Sequence, residues 1–487
     1  VQKKYAEAIE ALKEEAMIML KAQEGNPKNI IKKLVLIDTL ERLGLSYHFD
    51  QEIESQLQQI FVNFHQDSQE EYDLFTTALG FRLFRQHRHH VSSNVFDKFK
   101  GEGNKSFKET LESDGKGLLS LYEAAHLRIH GEQILDEALA FTTHHLNLML
   151  QDPKLLLESP LLVEQVKRAL QNPLLRGVPR IEARHYISFY EKDESRNDLL
   201  LKLAKLDFNY VQNMHKQELS QLSRWWKELD LMSGLSYARA RLVEGFVWAS
   251  SLHFEPQWNI DEVDEIPDCM VTICRFSFNI YAEHELEAAE LGKSFAVPYA
   301  IQTVKEICSA YNKGLKWGMG RNVPTFEEYM MNTVITSCLY VFSSIMIPGM
   351  KSVSSKETID WLMSQPQIVI ASAKVCRLMD DLGSYQRERK EGKVLTGVDF
   401  YMKQHSVSVE ETTSKFVELI EDGWKELNRE WMNRSENNNS IPKDIMEIIL
   451  NYARVADSHY RSGDDGFAKP QVMAPHIATL FVEPLII

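Results

Sequence analysis

Apolar residues recur at three- and four-residue intervals along almost the whole chain, the spacing that gathers them on one face of an α-helix. The pattern predicts helices over Tyr5 to Leu12, Ile30 to Leu45, Leu118 to Ala125, Glu132 to Met149 and Leu199 to Leu231. Alternating strand patterns are scarce. Short polar breaks fall at Gly25-Asn26-Pro27, Gly101-Glu102-Gly103-Asn104, Gly177-Val178-Pro179 and Asn437-Asn438-Asn439. The expected fold class is all-α. Its character changes near residue 200. Upstream helices are amphipathic with charged outer faces, whereas downstream ones such as Val334 to Ile347 carry almost no charge and need burial all round. Two helical domains are therefore expected, an outer one over 1–205 and one built around a core or cavity over 206–487. The longest uncharged run, Tyr329 to Met350, contains Thr, Ser and Asn and ends at Pro348-Gly349-Met350, which reads as a buried helix rather than a membrane span.

A length of 487 residues allows a large core. The net charge of −15 argues against nucleic acid or an anionic membrane as partner, so an anionic substrate needs local cations to approach. Cys269, Cys274, Cys308, Cys338 and Cys376 form no CxxC pair and read as reduced thiols of a cytosolic protein. No secretory or transit-type pattern opens the chain, which supports the same expectation.

One stretch carries distinctive chemistry. In Asp380-Asp381-Leu382-Gly383-Ser384-Tyr385-Gln386-Arg387-Glu388, the residues Asp380, Ser384 and Glu388 stand at i, i+4 and i+8 and stack on one helix face. Carboxylate, hydroxyl and carboxylate are hard oxygen ligands of the kind Mg²⁺ takes, with water and phosphate completing its shell. Arg377 lies near the same stripe, where it can meet a phosphate oxygen. A solvated acidic helix face is the plain alternative. His87, His89 and His90 are interleaved with arginines that repel a cation, so they are expected to form a solvated basic patch.

Several further segments, taken together, resemble the plant terpene synthases of class I. They are Arg176-Gly177-Val178-Pro179-Arg180, Leu203-Ala204-Lys205-Leu206-Asp207-Phe208-Asn209, His215-Lys216-Gln217-Glu218-Leu219, Ser223-Arg224-Trp225-Trp226-Lys227, Ala238-Arg239-Ala240-Arg241 and Phe254-Glu255-Pro256-Gln257. The Asp380–Glu388 stretch fits that family's second metal motif. The resemblance covers essentially the whole chain and is closest to the cytosolic sesquiterpene branch. It implies an N-terminal helical domain without chemistry of its own, a C-terminal helical bundle around an apolar cavity, and a monomer. The implied reaction is Mg²⁺-assisted loss of diphosphate from farnesyl diphosphate, then cyclisation of the carbocation and quenching by proton loss or water. Three Mg²⁺ ions are implied, with Mn²⁺ as an alternative. Geranyl diphosphate is the runner-up substrate, and a catalytically inactive binding or scaffold member the other reading.

The resemblance also assigns roles. Asp380, Ser384 and Glu388 hold metal, while Arg239, Arg241 and Arg377 grip phosphates. Arg239 and Arg241, at i and i+2, share no helix face, which suits a loop or lid. Trp248, Tyr460 and Asp465 are matched to catalytic positions of the pocket and its C-terminal lid. Phe467 stands where some relatives carry Tyr. Thr336 and Ser337 fall at a helix break whose carbonyls face the cation, the alternative being back-bonding of their hydroxyls to the helix.

One part of the family pattern is absent. Its first metal motif, Asp-Asp-x-x-Asp, is expected well after Phe254-Glu255-Pro256-Gln257, yet Gln257 is followed at once by Trp258-Asn259-Ile260-Asp261. Roughly 40 residues are lacking, about eleven helical turns. Losing most of a central helix opens a core, so the expectation is a mobile segment outside the ordered chain and a full-length protein longer than 487 residues.

Overall fold

The computed structural model describes residues 2–22, 27–66, 72–104, 106–228, 230, 271, 279, 282–320, 323–346, 349–353, 355–390, 395–433 and 441–487. Among them there is no strand, only one isolated bridge between Lys100 and Phe107, as the three-to-four periodicity requires. The chain divides into two compact units. The first comprises 1–220, 431–434 and 470–487, the second 221–430 and 435–469. The expected division at 205/206 thus falls inside a continuous helix, Asp198–Glu228, and the C-terminal segment belongs with the first unit.

The first unit contains α1 (Gln2–Lys21), α2 (Pro27–Arg42), α3 (Asp50–Gln66), α4 (Leu74–Gln86), α5 (Gly115–Ala125), α6 (Gln133–Met149), α7 (Pro153–Glu158), α8 (Pro160–Gln171), α9 (Pro179–Tyr190) and α10 (Asp198–Glu228, its residues from 221 on counted with the second unit). Local sequence starts these helices. The Asp73 carboxylate accepts from Thr76 N at 2.8 Å to cap α4, and proline opens α7, α8 and α9, where its missing N–H costs nothing. Their apolar faces meet in a core containing Leu34, Ile37, Phe49, Phe81, Phe84, Phe96 and Phe208. The C-terminal segment is fastened to α10: the Asn209 amide donates to Leu485 O at 2.7 Å and its carbonyl accepts from Leu485 N at 2.8 Å.

The His87 region corrects an expectation. His87 and His89 are buried, not solvated. The His87 ring lies between Glu54, 2.7 Å from Nδ1, and Glu41, 2.5 Å from Nε2, while His89 stacks on Phe61. Carboxylates from α2 and α3 neutralise a cluster that looks purely basic along the chain, because their partners lie 33 and 46 residues away.

The second unit contains α11 (Val297–Gly318), α12 (Phe326–Thr336), α13 (Leu339–Met346), α14 (Glu357–Met363), α15 (Gln367–Lys390), α16 (Gly397–His405), α17 (Val409–Met432, its last residues counted with the first unit) and α18 (Lys443–Tyr460). Helix α15 lies against α12, α16 and, most extensively, α18. Its first half buries Ile368, Val369, Ala373 and Val375, and the Ser372 hydroxyl donates to Ile449 O of α18 at 2.7 Å. The apolar stretch Phe326–Met346 has the length and composition to cross a membrane, but 61% of its apolar window is buried inside the protein. It is broken at Cys338, whose φ of +67° ends α12 and lets α13 restart.

Candidate active site

Helix α15 carries the Asp380–Ser384–Glu388 stripe. Asp380 and Glu388 are partly exposed, whereas Ser384 is buried. Arg377, one turn earlier, pairs with Asp380. Burial works against the Arg377 charge, but Asp380, Tyr329 and Asp381 outweigh it and hold the guanidinium well above its ordinary pKa. Tyr460, at the end of α18, faces Asp380. Burial first, then the Asp380 charge and hydrogen bond, raise its phenol pKa, so it stays protonated as a donor.

Asp381 does other work. One residue on from Asp380, it is turned into the unit, where it is 2% exposed. The Tyr329 hydroxyl sits 2.9 and 3.0 Å from its two oxygens. Burial pushes its pKa up to about 8, against the pull of Arg377. A Cβ on Gly397 would stand 2.2 Å from Asp381 Oδ2, so α16 approaches this carboxyl only because residue 397 is glycine.

The helix break expected at Thr336 and Ser337 is present. Their hydroxyls bond back to the helix, Ser337 Oγ to Val334 O at 2.7 Å and Thr336 Oγ1 to Thr333 O at 3.4 Å. The carbonyls freed by the break are taken by phenols: Tyr311 donates to Thr336 O at 3.2 Å and Tyr452 donates to Ser337 O. Tyr311 feels the charges of Arg377 and Asp380, which brings the break and the α15 stripe into one neighbourhood.

At the far end of the stripe Arg387 donates to Asp465 at 2.7 Å and lies 3.5 Å from Glu388. The other Asp465 oxygen accepts from Phe467 N at 2.9 Å and Ala468 N at 3.0 Å, which shapes the loop after α18. Phe467 itself is exposed and stacks on His459 at 4.2 Å. Arg239, Arg241 and Trp248 lie outside the described residues. Thus Arg377, Asp380, Tyr460, Thr336 and Ser337 are brought together, and Glu388 and Asp465 meet through Arg387. Arg387, Tyr311, Tyr329 and Tyr452 escaped the sequence reading. For Arg387 the only signal was its place beside Glu388, and adjacent helical residues do not share a face.

The donor set suits a hard divalent cation. Two carboxylates and a hydroxyl along one helix face offer oxygen only, leaving positions for water and phosphate. Among the described residues no group of three His, Cys, Asp or Glu is placed to hold a metal.

Two family profiles and several known proteins match the chain. The family profile "Terpene synthase, N-terminal domain" matches residues 1–170, and "Terpene synthase family, metal binding domain" matches 257–426. A gamma-cadinene synthase of Ocimum basilicum is 44% identical, covering 100% of this chain and 94% of that protein. A gamma-curcumene synthase of Pogostemon cablin is also 44% identical, covering 100% and 93%. The crystal structure of isoprene synthase from Populus x canescens, in complex with three Mg²⁺ ions and dimethylallyl-S-thiolodiphosphate, superposes with a TM-score of 0.84 at 28% identity, covering 99% of this chain and 97% of that one. The first alignment runs over 529 positions against 487 residues here, a difference of 42. Gln257 and Trp258 are consecutive in the sequence and lie outside the described residues. Matched over both of its domains and along its full length, the chain belongs to the terpene synthase family.

Proposed function

We propose that the chain is a sesquiterpene synthase that releases diphosphate from farnesyl diphosphate, lets the carbocation cyclise, and ends the reaction by proton loss or water capture. The observation that carries this reading is the Asp380–Ser384–Glu388 stripe with Arg377 paired at its head. Asp380, Ser384 and Glu388 would hold Mg²⁺, which when bound neutralises charge developing on the leaving diphosphate. A count of three ions is supported by the isoprene synthase complex with three Mg²⁺, and Mn²⁺ is the alternative ion in this reading. Arg377 offers fork-shaped donors to phosphate oxygens and is kept charged by its acidic neighbours. Tyr460 offers its phenol hydrogen to Asp380. The phenols of Tyr311 and Tyr452 leave the carbonyls at the helix break aimed and already hydrogen-bonded. Arg239, Arg241 and Trp248 complete the phosphate grip and pocket wall in this reading, with Asp465 and Phe467 shaping the C-terminal loop. Cadinene and curcumene are fifteen-carbon hydrocarbons, which favours farnesyl over geranyl diphosphate. A cytoplasmic monomer completes the proposal, with the first unit non-catalytic and the second catalytic.

The 42-position shortfall and the lack of Asp-Asp-x-x-Asp after Gln257 favour a second reading, a family member that binds prenyl diphosphate without ionising it. Incubation with farnesyl diphosphate and Mg²⁺, followed by gas chromatography and a diphosphate-release assay, separates the two. Volatile product that is lost in Asp380→Ala supports the synthase. Mg²⁺-dependent binding of farnesyl diphosphate without product or diphosphate release supports the second.

A further inference from the structure

An arginine stands on the same side of α15 as the Asp380–Ser384–Glu388 stripe. Arg387 comes seven residues after Asp380 and three after Ser384, within about 60° of both in helical phase, and directly precedes Glu388. A guanidinium there opposes a cation held at Ser384 and Glu388, because like charges set side by side repel. The stripe can take a metal only if that charge is drawn elsewhere.

Asp465, in the loop after α18, draws it. The residue is buried, and its Oδ2 accepts from Arg387 Nη2 at 2.7 Å. The same Nη2 lies 3.5 Å from Glu388 Oε1, at the outer limit of a hydrogen bond. One nitrogen thus stands between two carboxylates and is committed to the one in the loop. The loop fixes that carboxylate: Oδ1 accepts from Phe467 N at 2.9 Å and Ala468 N at 3.0 Å, which leaves Oδ2 for the guanidinium. Backbone bonds close the loop around it, Gly466 N donating to His459 O at 3.1 Å and Lys469 N to Asp465 O at 2.8 Å. Two carboxylates about one guanidinium leave one negative charge over. It falls to Glu388, whose side chain is 29% exposed against 7% for Asp465.

We propose that Asp465 is a positioning residue, which holds the Arg387 guanidinium off the stripe and so keeps Glu388 open to a divalent cation. The proposal rests on the metal reading of the stripe under the proposed function. Asp465 acts through Arg387 and touches neither substrate nor metal. The charge at 465 therefore matters to metal binding only while residue 387 is cationic.

Calorimetric titration of the full chain with inorganic diphosphate, repeated over a range of Mg²⁺ concentrations, tests it. Asp465→Asn keeps an oxygen for Phe467 N and Ala468 N but loses the charge that holds Arg387. This variant is expected to need about tenfold more Mg²⁺ than the parent for the same diphosphate affinity. Adding Arg387→Gln is expected to restore the parent's Mg²⁺ requirement, a rescue that damage to the loop alone would not show. Arg387→Gln by itself is expected to need no more Mg²⁺ than the parent. An unchanged or lowered requirement in Asp465→Asn, no rescue in the double variant, or a raised requirement in Arg387→Gln overturns the proposal. Asp380→Ala tests the reading beneath it. Mg²⁺-dependent diphosphate binding that is absent from the parent, or that survives in Asp380→Ala, removes the stripe as a metal site and this role with it.

Discussion

Gly383 sits between Asp380 and Ser384 on α15, and replacing it with alanine sets two effects against each other. Helix propensity alone favours the change by about 1 kcal/mol, because alanine loses less backbone entropy and covers the helix better. The packing opposes it. A Cβ at 383 would lie 2.8 Å from Tyr460 Cδ1 and 3.3 Å from Asp464 O. Tyr460 ends the helix most extensively packed on α15, and the loop after it is fastened by Asp465 to Arg387, so neither neighbour yields freely. Overpacking of this kind costs about 1–3 kcal/mol, which leaves Gly383→Ala destabilised by up to about 2 kcal/mol. It also pushes the Tyr460 ring away from Asp380. Gly314→Ala is the matched control. It lies inside α11, a Cβ there meets nothing within 4 Å, and propensity acts alone to stabilise by up to about 1 kcal/mol. Urea denaturation followed by circular dichroism measures both, and diphosphate release measures the effect on the site. Opposite signs are expected. A Gly383→Ala midpoint raised as much as that of Gly314→Ala would refute the packing argument.

Three further outcomes are expected. Glu388→Asp should impair Mg²⁺-dependent diphosphate release about as severely as Glu388→Gln, since the carboxylate is withdrawn by one methylene from the Ser384 side; the Mg²⁺ concentration dependence of turnover checks this. Glu123 accepts from Leu174 N at 2.9 Å, and burial pushes its pKa up to about 7 against the pull of that bond and of Arg82 and Arg42. The folded state therefore holds this proton more tightly than the unfolded chain, and stability is lost as pH rises from about 4.5 to 7. Glu123→Gln should gain on the parent across that window, by roughly 3 kcal/mol above pH 7, whereas parallel stability–pH curves would count against it. Arg85 is fully buried, donates to Val91 O, Leu127 O and Glu132, and stacks over Phe81. Arg85→Met should cost about 3–5 kcal/mol in denaturant titration, and adding Glu132→Gln should recover part of it by removing the stranded charge.

What the sequence disclosed follows from the range of each interaction. Helical periodicity and the i, i+4, i+8 stripe are local, so the all-α fold and the alignment of Asp380, Ser384 and Glu388 can be read from spacing alone. The different fates of Asp380 and Asp381 are half local: helical phase separates them by about 100°, but only the fold supplies Tyr329 and Gly397 to enclose the second. Arg387 meeting Asp465 across 78 residues, and His87 meeting Glu41 and Glu54, have no local signature at all. The same reasoning bounds what the stripe can do. From Asp380 to Glu388 the helix rises about 12 Å. Side chains on a helix lean toward its N-terminus, so the long Glu388 leans back toward Ser384 while the short Asp380 leans away. The stripe thus behaves as two neighbouring oxygen groups, Asp380 with Arg377 and Tyr460 at one end, Ser384 with Glu388 at the other. Neither group surrounds a six-coordinate cation. Oxygen ligands from substrate phosphate, water or another part of the chain must close each shell, and for that reason the lack of Asp-Asp-x-x-Asp in the sequence after Gln257 bears directly on whether bound diphosphate is ionised or only held.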